Sequence, residues 1–229
     1  LEERVADRTQ ALAATVAIGQ RLASLLDQRE IIQEVVDQLQ KTFGYYHVHI
    51  YLYDKEHKNL KMMGGSGLVG KALFNMGHQI PTGRGLVGRA ANANQVVLVS
   101  DVSQEAGWLP NPLLPETKSE VAVPIAKGSQ VLGVIDVQQT AVNGLTEVDA
   151  GLLENIAAQV AVALQNAELF AQVQRNAERQ IFLAQVNDKI QNTSDMESAL
   201  KVAVRELGRA LNAKQAFVQL KTTEEKETL

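Results

Sequence analysis

The sequence predicts an α+β domain with a central antiparallel sheet, and three observations lead to that prediction. Residues 45–53 (YYHVHIYLY) alternate strictly, with Val48, Ile50 and Leu52 on one face, which is the period of a half-buried strand. Later strands are joined by turns as short as residues 127–130 (KGSQ), and only antiparallel neighbours accept such connections. Long helical patterns flank the strands on both sides. We therefore expect about five to six strands, helices packed on one face, and long N- and C-terminal helices.

The segment before the first strand is predicted to form two helices. In the first, apolar or small residues recur in steps of three and four, a narrow seam suited to pairing with another helix (Leu1, Val5, Leu12, Val16, Gly19, Leu22, Leu26). Asp27 is positioned to cap a second helix from Gln28 to Phe43, which carries aliphatic residues on one face. Gly44 then ends that helix.

The remaining elements alternate between short strands, a glycine-rich segment and a long final helix. We first expect a hairpin turn at 54–59 and a return strand from Leu60. A glycine-rich segment follows at 64–88, whose only regular element is a helix near 69–75. After it we expect a short helix at 86–94, a strand at 96–99, an irregular segment at 101–118, and strands at 119–126 and 131–138. Thr146 and Asp149 cap the final helix, which begins near Val148. Its apolar seam also alternates threes and fours (Leu153, Ile156, Val160, Ala163, Ala167, Phe170).

Composition excludes several classes of function. The 229 residues carry a net charge of −4 and only 4% aromatic residues, which disfavours nucleic acid as a partner. There is no cysteine, so disulfides, thiolate zinc sites and thiol catalysis are excluded. Apolar runs such as 96–99 and 133–137 are of strand length, so we expect no membrane insertion. Because the first residue is not Met, we expect the chain to be part of a longer protein.

Residues 83–90 (GRGLVGRA) contain the pattern G-x-G-x-x-G, which also occurs at dinucleotide sites. A dinucleotide site needs a long crossover helix after the motif and an acidic residue roughly 20 positions further on. Here a strand follows at residue 96, and Asp101 lies too early. The motif therefore predicts a turn at Gly83 and Gly85, followed by a short helix that Gly88 allows to pack closely.

The sequence contains an internal repeat. Residues 18–52 align without a gap to residues 186–220, and the helix cap, the apolar phase and the change from helix to strand agree. The equivalent pairs are Asp27 and Asp195, Val36 and Val204, Leu39 and Leu207, Ile50 and Val218, and Leu52 and Leu220. We interpret this as a duplication whose second copy ends after its first strand.

Taken together, residues 27–170 resemble a GAF domain, a PAS-like fold, of the type found in bacterial multi-sensor histidine kinases. The motifs that carry the resemblance are GRGLVGRA (83–90), VSDV (99–102), SEVAVP (119–124), GVIDVQ (133–138), VDAGLL (148–153) and AAQVAVALQN (157–166). Residues 1–26 resemble the signalling helix of such kinases. Residues 171–229 resemble an exit linker helix and the truncated start of a second GAF-like unit.

The resemblance implies a ligand pocket on one face of the sheet, under residues 64–118. Members of the family bind cyclic nucleotides, linear tetrapyrroles, haem or small metabolites, and many have no known ligand. Covalent bilin attachment and the reductases of free methionine sulfoxide both need cysteines, which this chain lacks. The N-K-F-D-E pattern of cyclic-nucleotide phosphodiesterases is also missing, which weakens a cyclic nucleotide as the ligand without excluding it. The cofactor is therefore unknown, and a cyclic nucleotide or another small molecule is possible. The resemblance further implies a homodimer through the terminal helices and a cytoplasmic location, and it is compatible with a parent protein anchored to the membrane.

The predicted pocket residues come from the polar face of the first strand, from the segment 64–118 that covers it, and from the strands at 119–126 and 131–138. They are His49, Tyr51, Arg84, Leu86, Val87, Trp108, Glu120 and Asp136. The amides beside Leu86 and Val87 could face an anion. Trp108 is either a lid or, as we favour, a hydrophobic plug.

Two further interpretations concern metal binding and catalysis. His47 and His49 would suit a metal or haem, but no third ligand is evident and we predict no metal site; His78 is a weaker haem candidate. Asp101, Glu120 and Asp136 could act as general acids or bases, but no nucleophile or partner base lies near them in the sequence. We therefore expect their carboxylates to accept hydrogen bonds. The main hypothesis is a non-catalytic sensory domain, and the alternative is a structural dimerisation module without a ligand.

Overall fold

The computed structural model describes residues 16–192 and 195–210, together with residues 215, 217 and 219. Contacts divide the chain into two compact units, Leu1–Phe170 and Ala171–Leu229. Among the described residues, no helix combines the length and the apolar character needed to cross a membrane.

Six antiparallel strands form one sheet, as the sequence predicts. They are β1 (His47–Tyr53), β2 (Asn59–Gly65), β3 (Gln79–Pro81), β4 (Val97–Val99), β5 (Ser119–Lys127) and β6 (Gln130–Gln139). Their order across the sheet is β3-β2-β1-β6-β5-β4, so β1 and β6 lie at its centre. Strand β3 lies in the glycine-rich segment where we expected only a helix. A strand of three residues that ends in proline offers no alternating pattern to detect.

The described helices are α1 (16–22), α2 (Gln28–Phe43), α3 (Gly67–Asn75), α4 (Gly85–Ala93), α5 (Glu147–Gln191) and α6 (Met196–Ala210). Asp27 caps α2 as predicted, because its carboxylate accepts hydrogen bonds from the amides of Arg29 (2.8 Å) and Glu30 (3.1 Å). Gly44 ends α2 in the left-handed conformation, with φ of 66°. Residues 1–15 of the predicted first helix lie outside the described residues.

The main hydrophobic core lies between one face of the sheet and helices α1, α2 and α5. The apolar face of β1 contributes Val48 and Ile50, both fully buried. The seam of α5 predicted from its spacing packs into this core from Leu153 to Ala167, whereas Phe170 is 40% exposed. The seam therefore stabilises the fold of a single chain and is not free to pair with another chain.

The short helices α3 and α4 lie on the other face of the sheet, where they form a second, smaller core with β2, β5 and β6. The glycine motif has the predicted roles. Gly83 and Gly85 have φ of 81° and 63°, and a Cβ on Gly88 would lie 2.6 Å from the carbonyl oxygen of Pro81. The motif thus brings the start of α4 against β3.

In the second unit, α6 starts as the repeat predicts. The carboxylate of Asp195 accepts a hydrogen bond from the amide of Ser198 at 2.8 Å, in the way that Asp27 caps α2. Glu206 of α6 forms an ion pair with Lys189 of α5, with 3.1 Å between nitrogen and oxygen. Val218 and Leu220 of the predicted second strand lie outside the described residues.

Candidate functional site

A cavity of about 450 Å³ lies on the α3/α4 face of the sheet. Its floor consists of side chains from β1, β5 and β6, and its walls come from β3, the first turn of α4, and the loop 109–113. The volume falls within the range of small-molecule sites, roughly 300–1,000 Å³.

The polar floor follows from strand alternation and register. His49 on β1 is directly opposite Asp136 on β6, and Glu120 on β5 is opposite Gln138 on β6. Residues two apart on one strand share a face, so these side chains and that of Tyr51 all face the cavity. Asp136 and His49 are each only 1% exposed, and Glu120 is 6% exposed. The fold therefore buries two carboxyl groups side by side.

Hydrogen bonds fix the orientation of these groups. Asp136 Oδ2 accepts a hydrogen bond from Gln138 Nε2 at 2.9 Å and lies 3.2 Å from His49 Nδ1. The hydroxyl of Thr117 lies 2.7 Å from Gln138 Oε1 and donates to it, which determines which end of the amide faces Asp136. Trp108 Nε1 donates to Glu120 Oε2 at 2.8 Å. Thus one oxygen of each carboxyl group accepts a hydrogen bond from a side-chain N–H, of Gln138 for Asp136 and of Trp108 for Glu120.

Burial raises the pKa of Glu120 well above its ordinary value, and the negative charge of Asp136 raises it further. The hydrogen bond from Trp108 acts in the opposite direction but does not outweigh burial. The pKa of Tyr51 is also raised, by burial and then by the charges of Asp136 and Glu120. Burial beside Asp136 therefore favours the protonated form of the Glu120 carboxyl group.

Three buried polar atoms of this region have no hydrogen-bond partner among the described residues: Asp136 Oδ1, His49 Nε2 and His47 Nε2. Buried polar atoms in folded proteins nearly always have a partner. Asp136 and His49 line the cavity, so a molecule inside it could donate a hydrogen bond to Asp136 Oδ1 and place a second polar group beside His49 Nε2.

His47 has a different environment from His49, although both lie on the same face of β1. Its Nδ1 lies 3.2 Å from the hydroxyl of Ser66, which itself accepts a hydrogen bond from the amide of Val48. Burial is the main cause that lowers the pKa of His47 to about 3, and the neighbouring His49 ring, 4.2 Å away between centroids, contributes to the same shift. His47 does not line the cavity. The described part of the chain contains no cluster of three or more side chains suited to a metal ion.

The walls of the cavity are mainly apolar, and His78, Gln79 and Asn111 are their polar members. The apolar wall residues are Leu73, Met76, Ile80, Pro81, Leu86, Val87, Leu109, Pro110, Pro112 and Leu113. Within the described part of the chain, no lysine or arginine lines the cavity. The site therefore combines an acidic floor with an apolar body.

The structure brings six of the eight predicted pocket residues to the cavity: His49, Tyr51, Leu86, Val87, Glu120 and Asp136. The structure corrects the prediction for Arg84, which is exposed at the N-cap of α4 and does not line the cavity. Trp108 is half-buried and does not line it either, but its indole contacts Glu120, so it is more than a plug. Asp101 caps a short 3₁₀ turn, accepting from the amide of Ser103 at 3.0 Å, and takes no part in the site.

Several cavity residues were not predicted. Gln138 follows Asp136 by two positions on β6, so the same alternation argument would have found it. His78, considered only as a haem candidate, lines the cavity, and burial lowers its pKa, with His49 adding to the effect. The loop 109–113 has no periodic pattern that a sequence argument could use.

The fold and the cavity define a class of small α+β domains in which short helices and a loop cover one face of an antiparallel sheet. Residues 26–165 match the family model described as GAF domain. The chain belongs to this family.

Two relatives and one solved structure illustrate the similarity. GAF domain-containing protein A of Dictyostelium discoideum is 28% identical over 125 residues, which cover 55% of this chain and 73% of that protein. Dual 3′,5′-cyclic-AMP and -GMP phosphodiesterase 11A of Takifugu rubripes is 24% identical over 83% of this chain, which spans only 24% of the phosphodiesterase. The X-ray structure of free methionine-R-sulfoxide reductase from Neisseria meningitidis in complex with its substrate has a TM-score of 0.63 at 22% identity, over 69% of this chain and 90% of that chain. At that identity the likeness shows the fold.

Proposed function

We propose that this chain is a non-catalytic sensory domain whose cavity binds a small molecule. The observation that carries the proposal is the pair of unpartnered buried atoms at the cavity, Asp136 Oδ1 and His49 Nε2. A bound molecule would satisfy them and would bury apolar surface against the walls. Membership of the GAF family and the resemblance to kinase sensor domains support the same function.

Binding without turnover fits the residues of the site better than catalysis does. The neighbour from Neisseria meningitidis is named as a reductase of free methionine-R-sulfoxide. Enzymes of that kind on this fold need cysteines, and this chain has none. The acidic floor also lacks a nucleophile beside a base. We therefore expect the chain to show no methionine sulfoxide reductase activity with a thiol reductant.

We further propose that two copies associate through the outer face of α5. Asn155, Val162, Asn166 and Leu169 are exposed and recur in steps of seven, four and three, which keeps the spacing of a coiled-coil seam, and none is charged. Val162 is 50% exposed and Leu169 is 59% exposed, and a groove of about 350 Å³ lined by α1 and α5 lies beside Val162. A self-complementary uncharged seam suits a second copy of a chain whose net charge is −4.

In this proposal, ligand binding changes the packing of α3, α4 and the sheet, and the paired helices carry the change to the rest of the protein. The parent that the sequence motifs favour is a cytoplasmic sensor histidine kinase. The structural alternative, a spacer without a ligand, differs from it in one respect that can be measured, namely whether any small molecule stabilises the folded chain.

The test is thermal unfolding of the whole chain against a panel of free methionine sulfoxide, cyclic nucleotides, alkylamines, alcohols and haem. A ligand at 100 times its Kd should add about 2.7 kcal/mol to the free energy of unfolding. The variant Asp136→Asn should reduce that gain, whereas Glu56→Gln, at an exposed acid in the β1–β2 turn, should not. If no class of compound stabilises the chain, the sensory proposal is wrong and the spacer stands.

A further inference from the structure

The two carboxyl groups of the cavity floor form a unit that the proposed binding function does not by itself explain. Asp136 is directly opposite Ala122 on β5, so Glu120, two residues earlier on the same face, is its diagonal neighbour. Both side chains line the cavity and both are buried. Each also keeps acceptor capacity beyond the hydrogen bonds described above, since an ionised carboxyl group has about four lone-pair positions.

The surroundings supply almost no positive charge to this pair. The titratable side chains that face it are His47, His49 and Tyr51 from β1 and His78 from the segment before β3. Only His49 contacts a carboxylate, through Nδ1. The start of α4 contributes apolar residues, and the covering loop contributes the neutral indole of Trp108. Two negative charges side by side in this environment would be costly, so burial and the neighbouring Asp136 raise the pKa of Glu120 and favour its protonated form.

We infer that the cavity binds an organic cation and that its binding releases the proton held by Glu120. This inference rests on the proposed ligand-binding function. An ammonium group would donate to the unpartnered Asp136 Oδ1 and to Glu120, and its apolar part would contact the walls. In this exchange the O–H bond of Glu120 breaks, the proton passes to solvent, and the cation pairs with the Glu120 carboxylate that remains.

Trp108 makes this exchange favourable. Its indole N–H already lies 2.8 Å from Glu120 Oε2, and a hydrogen bond to a charged acceptor is roughly twice as strong as one to a neutral acceptor. Ionisation of Glu120 would therefore tighten a contact that is already in place. Since Trp108 directly precedes the lining loop 109–113, the same contact would hold that loop over the bound cation.

The linkage fixes the pH dependence. If one proton leaves when the cation binds, affinity must rise with pH as long as Glu120 is protonated in the free protein, by up to about tenfold per pH unit. Above the raised pKa of Glu120 the dependence should level off, because no proton remains to be released. A neutral ligand of the same shape should show no such rise.

The experiment is isothermal titration of the whole chain with two cations, phenethylammonium and hexylammonium, and with their neutral analogues 2-phenylethanol and 1-hexanol. Titrations in buffers of different ionisation enthalpy count the protons released. We expect the cations to bind at least tenfold more tightly than the alcohols and to release close to one proton each at neutral pH. Glu120→Gln should abolish proton release, and the exposed Glu116→Gln should leave it unchanged.

The outcomes separate this inference from the proposed function. If alcohols or other neutral or anionic compounds stabilise the chain and the cations do not, the binding function stands and the inference is overturned. Cation binding without proton release also overturns it. If Glu120→Gln fails to fold, Trp108→Phe replaces it: removing the indole donor should weaken cation binding and move its pH dependence upward. An unchanged pH profile in Trp108→Phe would contradict the exchange.

Discussion

At the scale of single residues, the two histidines of β1 show how position on a strand and chemical role can differ. His47 and His49 are two residues apart and share a face, which the sequence predicts. Only the structure shows that His49 lies against Asp136 while the hydroxyl of Ser66 holds the ring of His47. The metal pair considered from the sequence thus separates into a cavity group and a buried structural group.

His47 should make the chain sensitive to acid. Its pKa in the folded state is lowered to about 3 from 6.5, so between these values the unfolded chain binds a proton that the folded chain does not. Stability is therefore lost as pH falls below 6.5, by about 1.4 kcal/mol per pH unit. His47→Gln should flatten this slope in urea unfolding measured at several pH values. His57→Asn, at an exposed turn, should not, and a parallel pH slope in His47→Gln would refute the assignment.

The success of sequence reasoning at residue scale has a physical limit. Alternation along β1 predicted the face on which His49 lies, because strand geometry leaves only two faces. Glu120 and Asp136 were predicted only as acids in sheet positions, and the register of β5 and β6 shows that they share that face. Arg84 differs from the prediction because it is the N-cap residue of α4, with an extended backbone of φ −103° and ψ 143°, and it is exposed outside the cavity lining. The sequence does not encode that position in any periodic pattern.

At the scale of elements, the cavity depends on how closely α4 approaches β3. The contact of Gly88 with the backbone of Pro81 positions Leu86 and Val87, which form one wall. Sequence alone predicted the short helix and the role of its glycines. It did not predict β3, the strand that receives the contact, because three residues are too few to show a period.

Gly88→Ala should therefore disturb both stability and the cavity. The added methyl group would lie 2.6 Å from a carbonyl oxygen, so α4 must shift outward, at a cost of about 1–3 kcal/mol in unfolding free energy. Gly151→Ala in α5 is a matched control, since nothing lies within 4 Å of its new Cβ, and it should stabilise the chain by up to about 1 kcal/mol. Urea unfolding measures both. Equal effects of the two variants would show that the close approach is unimportant.

At the scale of the whole molecule, helix spacing alone did not decide what each helix packs against. The seam of α5 that begins at Leu153 has the spacing of a helix pair, and the structure packs it into the core of its own unit. The spacing of the seam indicates only that one face of the helix is apolar. That face can be buried against a sheet as well as against a second helix. On the opposite face of α5, Val162 and Leu169 stay exposed.

This leads to a prediction about assembly. Val162→Glu would place two carboxylates face to face across a two-fold axis, and like charges at such a contact cost several kcal/mol. Light scattering should show a dimer for the unaltered chain and a weakening of its Kd by about 100-fold or more in the variant, since each 1.4 kcal/mol is a factor of ten. Leu68→Glu introduces the same charge at a side chain 85% exposed on α3 and should leave the dimer intact. A dimer that tolerates Val162→Glu as well as Leu68→Glu must use another surface, and a chain that stays monomeric at all concentrations has no such seam. In either case the signal could not pass between copies along this face of α5.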